Sequence, residues 1–204
     1  MSAQLQNPPL SFEELLEMED LSEVRHEYVG GRLYAMAGGT PAHADIGTNL
    51  ATAIQSRLRG KTCRGTSNDQ RVRTSQTATN WYYPDFLIKC PPYRFHPVDK
   101  NALLNPHAIF EVLSPATETF DRTAKFDEYK LIEELTDYVL IDTNRVRVEH
   151  FTLLESGDWA LRVYNSLSHE LRLDHFEISV PLSEIYEDVE FGEVGVLPEM
   201  IGGE

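Results

Sequence analysis

Four side chains in the sequence are of types that could share one piece of chemistry: Asp85, Glu111, Lys125 and Glu27. Asp85 stands after a proline in WYYPDFLIKC, a run with the strand-forming composition of aromatic and β-branched residues. Glu111 interrupts the otherwise apolar run AIFEVL, in which strand alternation places it on one face with Ile109 and Leu113, and Phe110 and Val112 on the other. A carboxylate there is costly unless it is paired or bound to a metal, so a buried ion pair and a functional acid stand as equal readings. Lys125 lies on the flank of the helix expected next, where it either snorkels to water or reaches back over the strand towards Glu111. Two carboxylates and an ammonium on adjoining elements suit metal-assisted hydrolysis. Hard divalent cations take oxygen ligands, one or two carboxylates suffice when substrate oxygens complete the shell, and an ammonium adds electrostatic stabilisation.

The elements that must position these groups follow from pattern. Ser11 and Glu14 have capping-box spacing at the start of a first helix with Phe12, Leu15 and Leu16 on its apolar side. HEYVGGRLYAMAGG predicts a hairpin turning at Gly30-Gly31 and opened by Glu27. In PAHADIGTNLATAIQSRLRG, Ala42, Ile46, Leu50, Ile54 and Leu58 recur every fourth residue, with Pro41 suited to the first turn and Gly60 to the stop. Two basic, alternating stretches, KTCRGTS and DQRVRTS, precede the Trp81–Cys90 strand, which Pro84 should make begin late or run at an edge. A Pro-rich loop leads to the Ala108–Leu113 strand. A helix is then expected from about Thr117 to Leu135, with Phe120, Ala124, Leu131 and Leu135 at its apolar centre, followed by the buried strand TDYVLIDT. The remainder alternates as an antiparallel meander, closed by a short helix near Leu182–Tyr186. This order predicts an α/β fold: a mixed β-sheet flanked by helices, with a C-terminal meander, in one domain over 1–204. Its core spans about 10–190, and its termini are loose.

Composition limits the function classes. The formal net charge is −15, which argues against a polyanionic partner, but 13 acids against 2 bases fall in residues 149–204. Arg57, Arg59, Lys61, Arg64, Arg71 and Arg73 face only Asp69 in residues 57–73. No apolar run is long enough to span a bilayer and no secretory signal opens the chain, so a cytoplasmic protein without membrane contact is expected. Cys63 and Cys90 are read as two reduced thiols. A homodimer is the base-rate assembly. No P-loop, dinucleotide fingerprint or Ser-His-Asp order is present.

The hairpin HEYVGGRLYAMAGG, PAHADIGTNL, DQRVR, YYPDFLI, the run ending EVLSP and DRTAKFDEY, in that order, resemble the Uma-type family of restriction endonucleases within the PD-(D/E)xK nuclease superfamily. The resemblance covers roughly residues 10–190. It implies a restriction-endonuclease-like fold and an endonuclease that hydrolyses phosphodiester bonds in DNA, with RNA as the alternative, using Mg²⁺ or Mn²⁺. Asp85 matches the first acid and Glu111 the second, with the Val112 carbonyl as a third metal ligand. The superfamily's strand lysine falls at Leu113, a departure, and Lys125 on the following helix takes its place. Glu27 matches an early family acid that would bind or position a second ion. Arg71, Arg73 and His43 are candidates for substrate contact, although His43, lacking ligand spacing, reads more readily as a helix-end residue. Because of Leu113 and the net charge, the competing reading is a non-catalytic nuclease-fold protein acting through protein–protein contacts. A third is the same fold acting on a small phosphorylated compound.

Overall fold

The computed structural model describes residues 11–191 apart from Ala37, so the expected loose ends lie largely outside the described residues. The Ser11 hydroxyl caps α1 (Phe12–Leu21) by accepting the Glu14 N–H at 3.2 Å, and the Glu14 carboxylate accepts the Ser11 N–H at 2.7 Å. β1 (His26–Val29) and β2 (Arg32–Ala35) form the hairpin. Its two turn residues, Gly30 and Gly31, have φ of +56° and +82°, which a two-residue turn between twisted strands requires. α2 (Pro41–Leu58) starts at Thr40, whose hydroxyl accepts the His43 N–H, and buries Ile46, Leu50, Ile54 and Leu58.

The strands that follow are β3 (Arg64–Ser67), β4 (Arg71–Val72), β5 (Phe86–Lys89), β6 (Ala102–Leu103) and β7 (Pro106–Val112). Helical residues come next: α3 (Glu118–Phe120), a π turn over Asp121–Lys125, and α4 (Phe126–Tyr129). The chain continues as β8 (Asp137–Ile141), β9 (Val148–Leu153), β10 (Trp159–Tyr164), β11 (Glu170–Leu173), β12 (Ile178–Pro181) and α5 (Leu182–Ile185). Six strands make the main sheet in the order β10-β9-β8-β7-β5-β3. Only β7 and β8 run parallel in it, because the helical crossover returns the chain to the start of the sheet.

The apolar face of α2 packs with Phe86, Ile88, Phe110, Val112, Val139 and Ile141 on one side of the sheet. On the other side, Leu87, Ile109, Leu113, Tyr138 and Leu140 pack with Phe126, Tyr129, Ile132 and Leu135. Glu111, 3% exposed, lies on this second face. Alternation along β7 therefore works as read. Among the described residues no helix is long and apolar enough to cross a membrane.

Three expectations need correction. The helix expected to reach Leu135 ends at Tyr129, and Leu131 is 69% exposed rather than central to an apolar face. The chain turns there through Ile132 and Leu135, which drop into the core before β8. The meander divides, with β9 and β10 joining the main sheet while β11 and β12 pair only with each other. Cys63 and Cys90 are joined as a disulfide with Cα atoms 4.2 Å apart. The β3–β5 register pairs Arg64 with Lys89, so the next positions outward, 63 and 90, face one another although 27 residues separate them.

Gly65 lets β3 lie against the core. A Cβ there would fall 2.3 Å from Phe86 Cζ, and Phe86 is 1% exposed and packed edge-on against Phe110. Gly65→Ala is expected to cost about 1–3 kcal/mol in chemical denaturation, as overpacking does, because the ring has no free space to enter. Displacing Phe86 would also disturb its neighbour in the chain, Asp85.

Candidate active site

The β5–β7 register sets Phe86 opposite Phe110 on the α2 face. One step along each strand, Asp85 and Glu111 fall opposite each other on the second face. Pro84 keeps regular pairing from starting before Phe86. The Asp85 carboxylate occupies the place of a strand acceptor, taking the Val112 N–H at 2.7 Å. The strand thus begins late, as the proline suggested, and it lies inside the sheet between β7 and β3.

The π turn carries Lys125. Its wider winding, an arrangement often found at functional sites, turns both Asp121 and Lys125 inward, at 3% and 4% exposure. The Lys125 ammonium lies 3.0 Å from Glu27 Oε1, 3.0 Å from Glu111 Oε1 and 3.4 Å from Asp121 Oδ1. Tyr129 donates its hydroxyl to Glu111 Oε1 at 3.3 Å, and Glu27 Oε1 also accepts the Tyr83 N–H at 3.1 Å. Burial opposes charge on Lys125, but Glu111 and Glu27, with Asp121, outweigh it and hold the ammonium well above its ordinary range. Burial pushes the Glu111 carboxyl upward, and Asp121, Asp85 and Glu27 push the same way against Lys125. Three carboxylates thus surround one ammonium that is itself buried, with Asp85 opposite Glu111 on the same face.

His43 Nε2 stands 3.5 Å from Asp85 Oδ2. The Asp85 carboxylate raises its pKa despite burial, and the Val112 carbonyl adds to the effect. Oxygens from Asp85 and Val112 therefore both favour positive charge on one group. Among the described residues no group of three or more His, Cys, Asp or Glu side chains is arranged to hold a metal ion. Two carboxylates and a carbonyl are all oxygen donors, the kind Mg²⁺ or Mn²⁺ takes, and lack the nitrogen and sulfur ligands of a structural zinc.

Of the residues singled out from sequence, Asp85, Glu111, Val112, Lys125, Glu27 and His43 come together. Arg71 and Arg73 do not join them. Arg71 is 2% exposed and its guanidinium is taken up by Asp99 at 2.8 Å, Asp20 at 3.0 Å and the Tyr83 hydroxyl at 2.9 Å. It ties α1, β4 and the loop before β6 together rather than offering a free charge to phosphate. Arg71→Met is expected to lower unfolding free energy by about 3 kcal/mol, chiefly by leaving Asp99 buried and unpaired. Loss of Asp99 in the same protein should restore most of that, a coupling that thermal melts of the four-member cycle would read. Arg73 is 3% exposed, lies over the Phe12 ring at 4.4 Å and donates to the Ala78 carbonyl.

Asp121 and Tyr129 belong to the cluster although neither is among the candidate site residues read from sequence. Their signal was the spacing Asp121, Lys125, Tyr129, four residues apart on one stripe. Arg122 is a parallel case one position on: it pairs with Glu149, which shares a sheet row with Glu111 through Leu140.

Residues 12–183 match the family model Uma2, described as "Putative restriction endonuclease". Two uncharacterized proteins of Synechocystis sp. (strain PCC 6803) are similar. One is 32% identical over 187 residues, covering 90% of this chain and 95% of its own. The other is 26% identical over 169 residues, covering 83% and 95%. A crystal structure from Anabaena variabilis, described as "a putative nuclease belonging to DUF820", shares the fold at a TM-score of 0.70. It is 16% identical and covers 87% of this chain and 98% of that one.

Proposed function

The chain belongs to the Uma2 family, and on that premise we propose that it is a metal-dependent endonuclease hydrolysing phosphodiester bonds, with DNA as substrate and RNA as the alternative. The observation that carries this reading is the Lys125 ammonium 3.0 Å from Glu111, on the sheet face that Glu111 shares with Asp85. A lysine supplied by the crossover helix thereby fills the role left open by Leu113.

Asp85, Glu111 and the Val112 carbonyl would hold a Mg²⁺ or Mn²⁺ ion, which when bound would acidify water and set positive charge against the attacked phosphate. Lys125, whose ammonium Glu111 and Glu27 stabilise against burial, would orient the attacking water and offset charge on the phosphate oxygens. Glu27 fixes the ammonium, because the Tyr83 N–H in turn fixes Glu27. Tyr129 holds the Glu111 carboxylate in orientation through its hydroxyl. His43, beside Asp85, would offer its Nε2 proton to a phosphate oxygen once substrate displaces the present contact.

The test is cleavage of circular and single-stranded DNA by purified protein with added Mg²⁺ or Mn²⁺. Cutting should require the ion and cease with chelator. Equal cutting by wild-type, Asp85→Asn and Lys125→Ala preparations would sink the reading, since the activity would then come from a contaminant.

A further inference from the structure

Lys89 and Arg64 stand directly opposite each other on β5 and β3, like charges in a position that costs stability. Among the described residues neither makes an ion pair, whereas Lys61, Lys125 and Lys130 each do. Lys89 donates to Gln70 Oε1 at 2.9 Å, and burial with no carboxylate to offset it lowers its pKa. The rings of Tyr93 and Phe95 flank this ammonium, with centroids 5.5 and 5.8 Å from Nζ. Both rings are open to solvent, at 40% and 42% exposure. No acid occurs in residues 91–98, in a chain that has 33.

The patch lies on the sheet face that carries Asp85 and Glu111. Residues 85, 87 and 89 share one face by strand alternation, and Lys89 is about 13 Å along the chain from Asp85. A hollow of about 450 Å³ adjoins Phe95, lined also by Gln70, Lys100 and Asn101 and, further from the rings, by Asp20 and Asp69.

We propose that Lys89, Arg64, Tyr93 and Phe95 form a docking strip for a single-stranded polynucleotide, the two cations taking phosphates and the two rings stacking bases. It rests on the nuclease reading only in supplying that site with its substrate. Charge complementarity selects a polyanion, and the rings select unpaired bases. A duplex keeps its bases stacked within itself, so exposed rings beside its backbone would gain nothing, whereas each base of a single strand has a free face.

The probe is a fluorescein-labelled oligothymidylate, with binding followed by anisotropy in chelator so that no cleavage occurs. Tyr93→Ala and Phe95→Ala are each expected to weaken binding about tenfold, and Tyr93→Phe and Phe95→Tyr to retain it. Lys89→Gln should weaken binding and reduce the salt slope by about 0.7. A uridine oligomer bound equally would extend the strip to RNA and support the proposal. Four results would overturn it: no binding by wild type, aromatic variants that bind like wild type, duplex bound more tightly than single strand, or displacement by poly-glutamate as effective as by the oligomer. Asp85→Asn separates the two readings, since it should bind like wild type without cutting. A wild type that binds through Tyr93 and Phe95 but never cuts would overturn the nuclease reading and leave the strip standing.

Discussion

Asp85→Asn is expected to reduce metal-dependent cleavage by about a thousandfold or more while leaving the melting temperature close to that of the wild type. The rate loss follows from removing a charged oxygen where the phosphate would be attacked. Each 1.4 kcal/mol withheld from the transition state is about tenfold, and a ligand of this kind accounts for several kcal/mol. Stability should survive because the contacts of Asp85 are the Val112 N–H at 2.7 Å and His43 Nε2 at 3.5 Å, and an asparagine oxygen can accept from both. The substitution also takes one negative charge from beside Glu111, whose carboxyl Asp85 helps to push upward. Steady-state nicking rates and calorimetry on the same preparation would check both halves. A variant that had lost activity and also melted far below wild type would mean that Asp85 mainly holds β5 to β7.

What could be read in the sequence divides along the range of the interactions involved. The Ser11–Glu14 box, the Gly30-Gly31 turn and the α2 stripe depend on residues close in sequence, so pattern suffices for them. The placement of Asp85 and Glu111 depends on alternation, which fixes a face, and on strand pairing, which a central apolar strand makes the natural expectation. Partners across the fold were not legible. Arg71 is held by residues 28 positions ahead and 51 behind, and no local pattern marks Asp99 or Asp20 as its mates. Cys63 and Cys90 meet only because β3 and β5 pair in one register. The π turn escaped for a different reason: DRTAK holds neither glycine nor proline, and its composition is that of an ordinary helix. A regular α-helix continued to Leu135 would have been anchored by Leu131, which is exposed. The wider turn supplies what the wheel could not, both Asp121 and Lys125 directed at Glu111's side of the sheet.

Lys125→Met should therefore be far more damaging to the fold than Glu111→Gln, although both should abolish cleavage. Lys125 is the counter-charge for Glu27, Glu111 and Asp121, and its Nζ is within 3.4 Å of all three. Methionine would preserve the packing of the stem beside Tyr82 and leave buried carboxylates with no cation, at a cost of about 3–5 kcal/mol. In a chain of this size that lowers the melting temperature by roughly 10 °C. Glu111→Gln instead leaves Lys125 with Glu27 and Asp121, removes a charge that burial already disfavours, and keeps an oxygen for the Tyr129 hydroxyl. Its expected effect on stability is about 1 kcal/mol or less in either direction. The pH dependence carries a sign. Burial already pushes the Glu111 carboxyl upward and Lys125 is what lowers it, so without Lys125 the folded state binds more protons there than the unfolded one. Stability of the variant is then fullest below the unfolded carboxyl pKa and is lost as pH rises through the folded values. The deficit against wild type should accordingly be largest near pH 7.5 and shrink towards about pH 5. Denaturant melts of both variants across that range would decide the matter. Equal losses for the two, or a Lys125→Met deficit that does not shrink on acidification, would mean that the ammonium is not what allows three carboxylates to share this face of the sheet.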